Sequence, residues 1–227
     1  SVDPVRDKEV IDCELQLKDL ETVENRIQKV QKQATTGGDK NAKRLYDLLC
    51  KYRDALMQGK SCRTVKPENP EEEQMAKVIE CGIYAPSAMN QQPWAVRVVD
   101  DKEFLDGVTA IAVEKMPQLK EQEGFRNFFR NAPTVAFIAV PDESYSGEFD
   151  SALLAQNMIL SAWSMGIGSC CLGSVIPVMN SQAAKPYVER LNLPEGYHLQ
   201  LAIAFGYPAG ENPEAPERDY SKAYYIE

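Results

Sequence analysis

The chain has 227 residues, 44% of them apolar and 26% charged, which is ordinary globular composition with enough length to bury a substantial core. Its net charge of −9 excludes long-range attraction to DNA, RNA or an anionic membrane, and leaves room only for a local basic site. No apolar run reaches the ~18 residues of a membrane span, no signal peptide is recognisable, and six cysteines without a CxxC pair give no zinc pattern, so a soluble, reduced, cytoplasmic protein without a metal site is expected.

Residues 7–34 read as one long helix, with Leu20, Val23, Ile27, Val30 and Ala34 three and four apart along one seam. Thr35-Thr36-Gly37-Gly38-Asp39 breaks the pattern, and Ala42, Leu45, Leu49, Tyr52 and Leu56 resume it. Two stripes joined by a short break predict an antiparallel helical hairpin whose charged remainder is a solvated face. The hairpin module ends at residue 60, and a second domain, 61–227, begins there.

In that domain residues 71–83 form an amphipathic helix opened by Glu71-Glu72-Glu73, acids that suit the positive helix N-terminus. "WAVRVVDD" (94–101) and "TVAFIAVPD" (134–142) have the β-branched, apolar character of buried strands, with helical segments between them over 102–131. "DSALLAQNMILSAWSMGI" (150–167) is apolar on nearly every face and predicts a central buried helix. "GYHLQLAIAFGYPA" (196–209) closes the strand set, and residues 210–227 are a Pro-rich tail. The order predicts an α+β fold, a sandwich with a mostly antiparallel sheet.

The segment "MQGKSCRTV" (57–65) contains the Gly-Lys-Ser that ends a P-loop. A Walker A loop also needs a glycine five residues before its Gly-Lys, where this chain has Asp54, and must pass from strand to helix. The P-loop reading fails on both counts. Cys170 and Cys171 are adjacent, which makes a mutual disulfide awkward, and they lack the spacing of a redox dithiol. His198, the one histidine, falls at a strand start, where a surface or packing role is expected.

Residues 1–66, above all "VDPVRDKEVIDCELQLKDLETVE", resemble the coiled-coil hairpin of the YchF-type, Obg-related NTPases. No Walker A or base-recognition motif accompanies it, so the resemblance implies architecture and no NTPase activity. Residues 61–227 resemble the FMN-dependent nitroreductase family through four motifs in order: "SCRT" (61–64), "APSAMNQQPWAVRVV" (85–99), "GIGSCCLGS" (166–174) and "FGYPAGENPEAPER" (205–218).

That resemblance implies FMN, with NADH or NADPH as electron donor and a nitroaromatic, quinone or similar electron-poor small molecule as acceptor. It implies that Ser61 and Arg63, with Lys60 adding charge and Arg218 reaching in from the C-terminal side, hold the phosphate, a dianion suited to fork-shaped cationic donors. Gly59 stands where the family often carries a further arginine. Pro86, Ser87, Ala88 and Asn90 resemble the segment that embraces the flavin from the partner of a homodimer, Asn90 offering both a donor and an acceptor. Leu172 and Gly173 resemble the backbone beside flavin N5, where an N–H donor stabilises charge on the reduced ring. No side-chain acid, base or nucleophile is implied. Two other readings stay open: a flavoprotein of this fold with a different reaction, and a non-catalytic interaction protein whose hairpin docks a large partner. A yellow preparation would separate the flavoprotein readings from the last.

Overall fold

The computed structural model describes residues 24–31, 34, 42–43, 46–47, 50, 61–210, 217, 219–222 and 224–226. The chain divides into two compact units, one made of Ser61–Asn212 and the other of Ser1–Lys60 with Pro213–Glu227.

In the second unit residues 24–31 are helical, with Ile27 buried among exposed neighbours, and Ala42 of the later stripe is buried too. Leu20, Val23, Leu45, Leu49, Tyr52, Leu56 and the Thr35–Asp39 break lie outside the described residues, so the hairpin itself remains an expectation.

The first unit is a sheet with helices on both faces. It runs α1 (Glu72–Ile83), a 3-10 turn (Ala88–Asn90), β1 (Ala95–Val99), α2 (Lys102–Lys115), a second 3-10 turn (Pro117–Glu121), β2 (Thr134–Pro141), α3 (Gly147–Ser164), β3 (Gly168–Cys171), α4 (Val175–Met179), a third such turn (Gln182–Ala184), α5 (Lys185–Arg190) and β4 (Tyr197–Gly206). The strands lie in the order β1-β2-β4-β3, every pair antiparallel. Strand period dictates two cores. From β2, Val135, Phe137 and Ala139 point to a cluster with Phe104, Leu105, Val108 and Ala112 of α2 and Val175 and Val178 of α4. Ala136 and Ile138 point the other way, to Met75 and Val78 of α1 and Leu154, Ala155, Met158 and Ala162 of α3. β2 and β4 pair from Thr134↔Phe205 to Pro141↔Tyr197, with one register shift between Ile138 and Ala139.

The helix starts follow capping chemistry. Glu71 N–H donates to Gln74 Oε1 at 3.2 Å ahead of α1, and Glu103 N–H donates to Asp101 Oδ1 at 2.9 Å ahead of α2.

Three expectations need correction. β1 is half-buried beyond Ala95, because among the described residues it is an edge strand paired with β2 alone. β3, with α4 and α5 after it, adds elements that the motif "GIGSCCLGS" did not announce: four residues become a strand because β4 offers an edge, from Gly168↔Gly206 to Cys171↔Ile203. α3 is not enclosed within the chain. Asp150, Ser151, Leu154, Ala155, Met158 and Ala162 face the core and Leu153 packs at its margin, whereas Phe149, Gln156, Leu160 and Trp163 lie on the opposite face and are exposed or half-buried. No helix among the described residues is long and apolar enough to cross a membrane.

Candidate cofactor site

Residues 62–66 run extended along the ends of β3 and β4. Cys62 N–H donates to Ser169 O at 2.8 Å, Ala209 N–H to Thr64 O at 3.0 Å and Lys66 N–H to Tyr207 O at 2.8 Å, and Val65 pairs with Pro208 in an antiparallel bridge. Cys62 and Val65 turn inward and are buried, which leaves Arg63, Thr64 and Lys66 exposed. Gly168 permits this approach: a Cβ there would lie 2.5 Å from Cys62 Sγ and 2.6 Å from Cys62 Cβ. Arg63 is thus placed by backbone pairing on both sides of it.

A cleft of about 670 Å³ opens beside this ladder. Arg63, Lys66, Arg126 and Arg130 line it, together with Ser174, a wall of Met116, Leu119, Phe125 and Phe128, and one acid, Glu123. The loop that carries the two further arginines is fastened by its own side chains. Asn131 Oδ1 accepts from Arg126 N–H at 2.7 Å and Asn127 N–H at 3.0 Å, and Asn131 Nδ2 donates to Gly124 O at 2.8 Å. Arg130 and Asn131 take left-handed φ values of 57° and 62° within it. Arg126 Nη2 donates to Val65 O at 2.9 Å and Asn131 O at 3.1 Å, so this guanidinium ties the loop to the Arg63 segment. Four cations against one carboxylate, beside an apolar wall, fit an anionic ligand with a flat apolar part.

The expected site residues distribute as follows. Arg63 is in the cleft, and Ser61 is exposed just before it without lining it. Lys60 and Arg218 lie outside the described residues. Leu172 is buried and its N–H donates to Ala202 O at 2.8 Å. Gly173, next to cleft residue Ser174, is exposed, and a Cβ there would meet nothing within 4 Å. The open backbone position of this turn is therefore Gly173.

Pro86, Ser87, Ala88 and Asn90 follow α1 and do not line the cleft. Their turn is fastened: Gln92 N–H donates to Ser87 Oγ at 2.9 Å, Gln92 Nε2 to Asn90 Oδ1 at 3.3 Å, and Ala88 N–H reaches both carboxylate oxygens of Asp150. Trp94, expected in the core, is half-buried against the α1–α3 cluster. Lys66, Arg126, Arg130 and Ser174 were not singled out from the sequence. The signal was "FRNFFRN", two arginines four apart among aromatics.

Cys171 is exposed yet crowded, and desolvation, with Cys170 beside it adding a smaller effect, pushes its thiol above the ordinary 9.0. A thiol raised in this way is a poor nucleophile near neutrality. His198 is exposed on β4, its Nδ1 2.9 Å from Asp142 Oδ1, in a surface role.

The nitroreductase family model matches residues 56–207. A nitroreductase with bound FMN from Desulfitobacterium hafniense superposes with a TM-score of 0.69 at 28% identity, covering 78% of this chain and 98% of that one. An FMN-dependent nitroreductase from Clostridium difficile gives 0.66 at 25% identity, covering 77% and 98%. A second similarity covers a shorter stretch: Obg-like ATPase 1 from Bos taurus is 52% identical over 60 residues, which is 26% of this chain and 15% of that protein.

Proposed function

Because the chain belongs to the nitroreductase family, we propose that it is an FMN-dependent oxidoreductase in which the Arg63 cleft receives the flavin phosphate and the Gly173 turn lies beside the ring. The observation that carries this reading is the cleft itself, where Arg63, Lys66, Arg126 and Arg130 converge in an otherwise acidic protein of net charge −9. FMN when bound supplies the two-electron carrier between NADH or NADPH and an electron-poor acceptor such as a nitroaromatic or a quinone.

The chain's own groups bind and orient. Arg63 and Lys66 meet the phosphate as exposed cations, and Arg126, held by two carbonyls, fixes the loop and adds field. Met116, Leu119, Phe125 and Phe128 form a wall that limits water on one side of the cleft. The Gly173 N–H offers a donor without a side chain in the way. Ser61, Lys60 and Arg218 complete the phosphate set, and Pro86, Ser87, Ala88 and Asn90 serve the flavin of the partner in a homodimer. The outward apolar side chains of α3, Leu160 and Trp163, support that assembly, since a second copy covers such a face. Residues 1–60 form a separate helical hairpin in this reading, with a partner of its own, and 61–227 form the cytoplasmic flavin domain. A deletion of residues 1–58 that loses FMN while the full chain keeps it would place the hairpin in the site instead.

Titration of FMN and riboflavin into apo-protein tests the phosphate reading. Arg63→Ala removes a charge-assisted contact of about 1.5–3 kcal/mol, or roughly tenfold to a hundredfold in Kd. Arg63 is exposed and shares the cleft with three other cations, so the lower end is expected. Riboflavin, which has no phosphate, should bind wild type and variant alike. Equal losses for both flavins would mean that Arg63 supports the fold and does not read phosphate.

A further inference from the structure

Asp150, in the first turn of α3, is a carboxylate only 4% exposed, and no cation pairs with it among the described residues. Its lone pairs are directed at two places. Ser146 Oγ donates to Oδ2 at 2.7 Å, and Ala88 N–H, 62 residues earlier, reaches Oδ1 at 3.3 Å and Oδ2 at 3.2 Å. The positive end of α3 stabilises the charge from behind. A buried carboxylate carries a large desolvation cost unless its acceptors are used, so this arrangement fixes both segments at once.

The segment it holds is strained. Met89, Asn90 and Gln92 take φ values of 52°, 56° and 50°, a left-handed conformation that side chains other than glycine resist. Packing does not impose the strain, because Met89 is 86% exposed and Asn90, Gln91 and Gln92 are exposed with it. The remaining bonds of the turn are local in sequence: Asn90 N–H to Ser87 O, Gln91 N–H to Ala88 O, Gln92 N–H to Ser87 Oγ, Gln92 Nε2 to Asn90 Oδ1 and Trp94 N–H to Gln92 O. Among the described residues the Asp150 carboxylate is the polar anchor between this turn and the body of the unit. A strained, exposed turn fastened to a buried charge is shaped before its ligand arrives.

We propose that Asp150 is a positioning residue for flavin binding: it holds residues 86–92 in the strained conformation in which they meet the isoalloxazine ring. The inference rests on the reading that this segment serves the flavin, and it adds the group that presets it. Asp150 itself touches neither flavin nor substrate in this account.

Two readouts on the full chain test it. Hydrogen exchange on apo-protein reads the anchoring, and parallel titration of FMN and riboflavin reads its purpose. In Asp150→Ala the amides of 88–92 should exchange at least tenfold faster while those of β2 and β4 stay unchanged. Both flavins should bind about tenfold more weakly, by the same factor, because the turn addresses the ring that they share. Asp150→Asn should stay within about threefold of wild type in both readouts, since its amide oxygen accepts from Ala88 N–H and its NH₂ donates to Ser146 Oγ. Should Asp150→Ala not fold, Asp150→Ser, too short to reach Ala88, carries the same expectations with a smaller cavity. Unchanged exchange at 88–92 overturns the proposal. So does faster exchange with unaltered flavin binding, which would leave the cofactor reading standing on the Arg63 cleft. Wild-type protein that binds neither flavin overturns the cofactor reading and this inference with it.

Discussion

Replacement of Gly168 by alanine should disturb the cofactor cleft without touching any residue that lines it. The added Cβ would lie 2.5 Å from Cys62 Sγ, 2.6 Å from Cys62 Cβ and 3.3 Å from Pro208 Cγ. Rotating the thiol away does not solve the problem, because the Cys62 Cβ moves only with its backbone. That backbone is bonded to Ser169 O at 2.8 Å and carries Arg63 as the next residue. Overpacking of this kind costs about 1–3 kcal/mol, and loss of the backbone bond adds about 0.5–1.5 kcal/mol, for a total of roughly 2–4 kcal/mol. At about 2–4 °C per kcal/mol for a chain of this size, Tm should fall by roughly 5–15 °C. FMN affinity should fall too, because the displaced segment carries Arg63 and, through Val65 O, holds Arg126. Adding Cys62→Gly restores the space and should recover most of both losses, less the ~0.5–1 kcal/mol that glycine costs in an extended segment. Cys62→Ala should not rescue, since its Cβ remains. Thermal melts and FMN titration of the four proteins decide the matter. Gly168→Ala melting within a degree or two of wild type, or a Cys62→Gly partner that restores nothing, would refute the packing argument.

Three further outcomes are expected. The proposed homodimer predicts that wild type sediments as a dimer and that Leu160→Glu, on the outward stripe of α3, sediments as a folded monomer; a variant that stays dimeric would move the interface elsewhere. Cys171 should react slowly with iodoacetamide at pH 7, with a rate that climbs through a midpoint above the ordinary 9.0; a midpoint below it would contradict the crowding around the thiol. The hydrogen bond from Arg190 Nη2 to Asp101 Oδ2, at 2.6 Å, is the first cause holding the Asp101 carboxyl below its ordinary 3.8. A lowered carboxylate stabilises the fold above its unfolded value and loses that contribution as pH falls through the folded one, so the penalty of Arg190→Gln should shrink below about pH 3.8 to the part owed to its stacking on Phe104. A penalty independent of pH would assign the whole effect to that stacking.

Some of this structure is legible in the chain because the signal is local. Helix α1 follows from Glu71 and its acidic neighbours, and β2 from an unbroken apolar run buried along its length. The α3 segment was legible as a helix but not as to its surroundings. An outward apolar face and an inward one have the same spacing, and only the tertiary arrangement shows which is covered. Strand β3 was hidden because "GSCC" has no alternation and exists as a strand through its pairing with β4. The same pairing region occupies the Leu172 N–H through Ala202 O, a bond that no sequence pattern announces. The motif points to Arg63, which lines the cleft, whereas Arg126 and Arg130 enter it through a loop folded by the Asn131 side chain, and no periodicity encodes that. Asp150 reads in sequence as one more polar residue near a helix start. Its reach to Ala88 is a fact of three dimensions.

The ladder beside Arg63 also has a consequence in time. Arg63 is among the first residues of its unit to leave the ribosome, whereas Tyr207 and Ala209, whose backbone holds the residues on either side of it, are among the last. The binding cleft therefore cannot take shape progressively during synthesis: closing so long a loop is slow and waits for nearly the whole domain. A nascent chain arrested before residue 207 would carry most of the helices of this unit without the ladder that places Arg63, and capture of the proposed cofactor would report a finished unit.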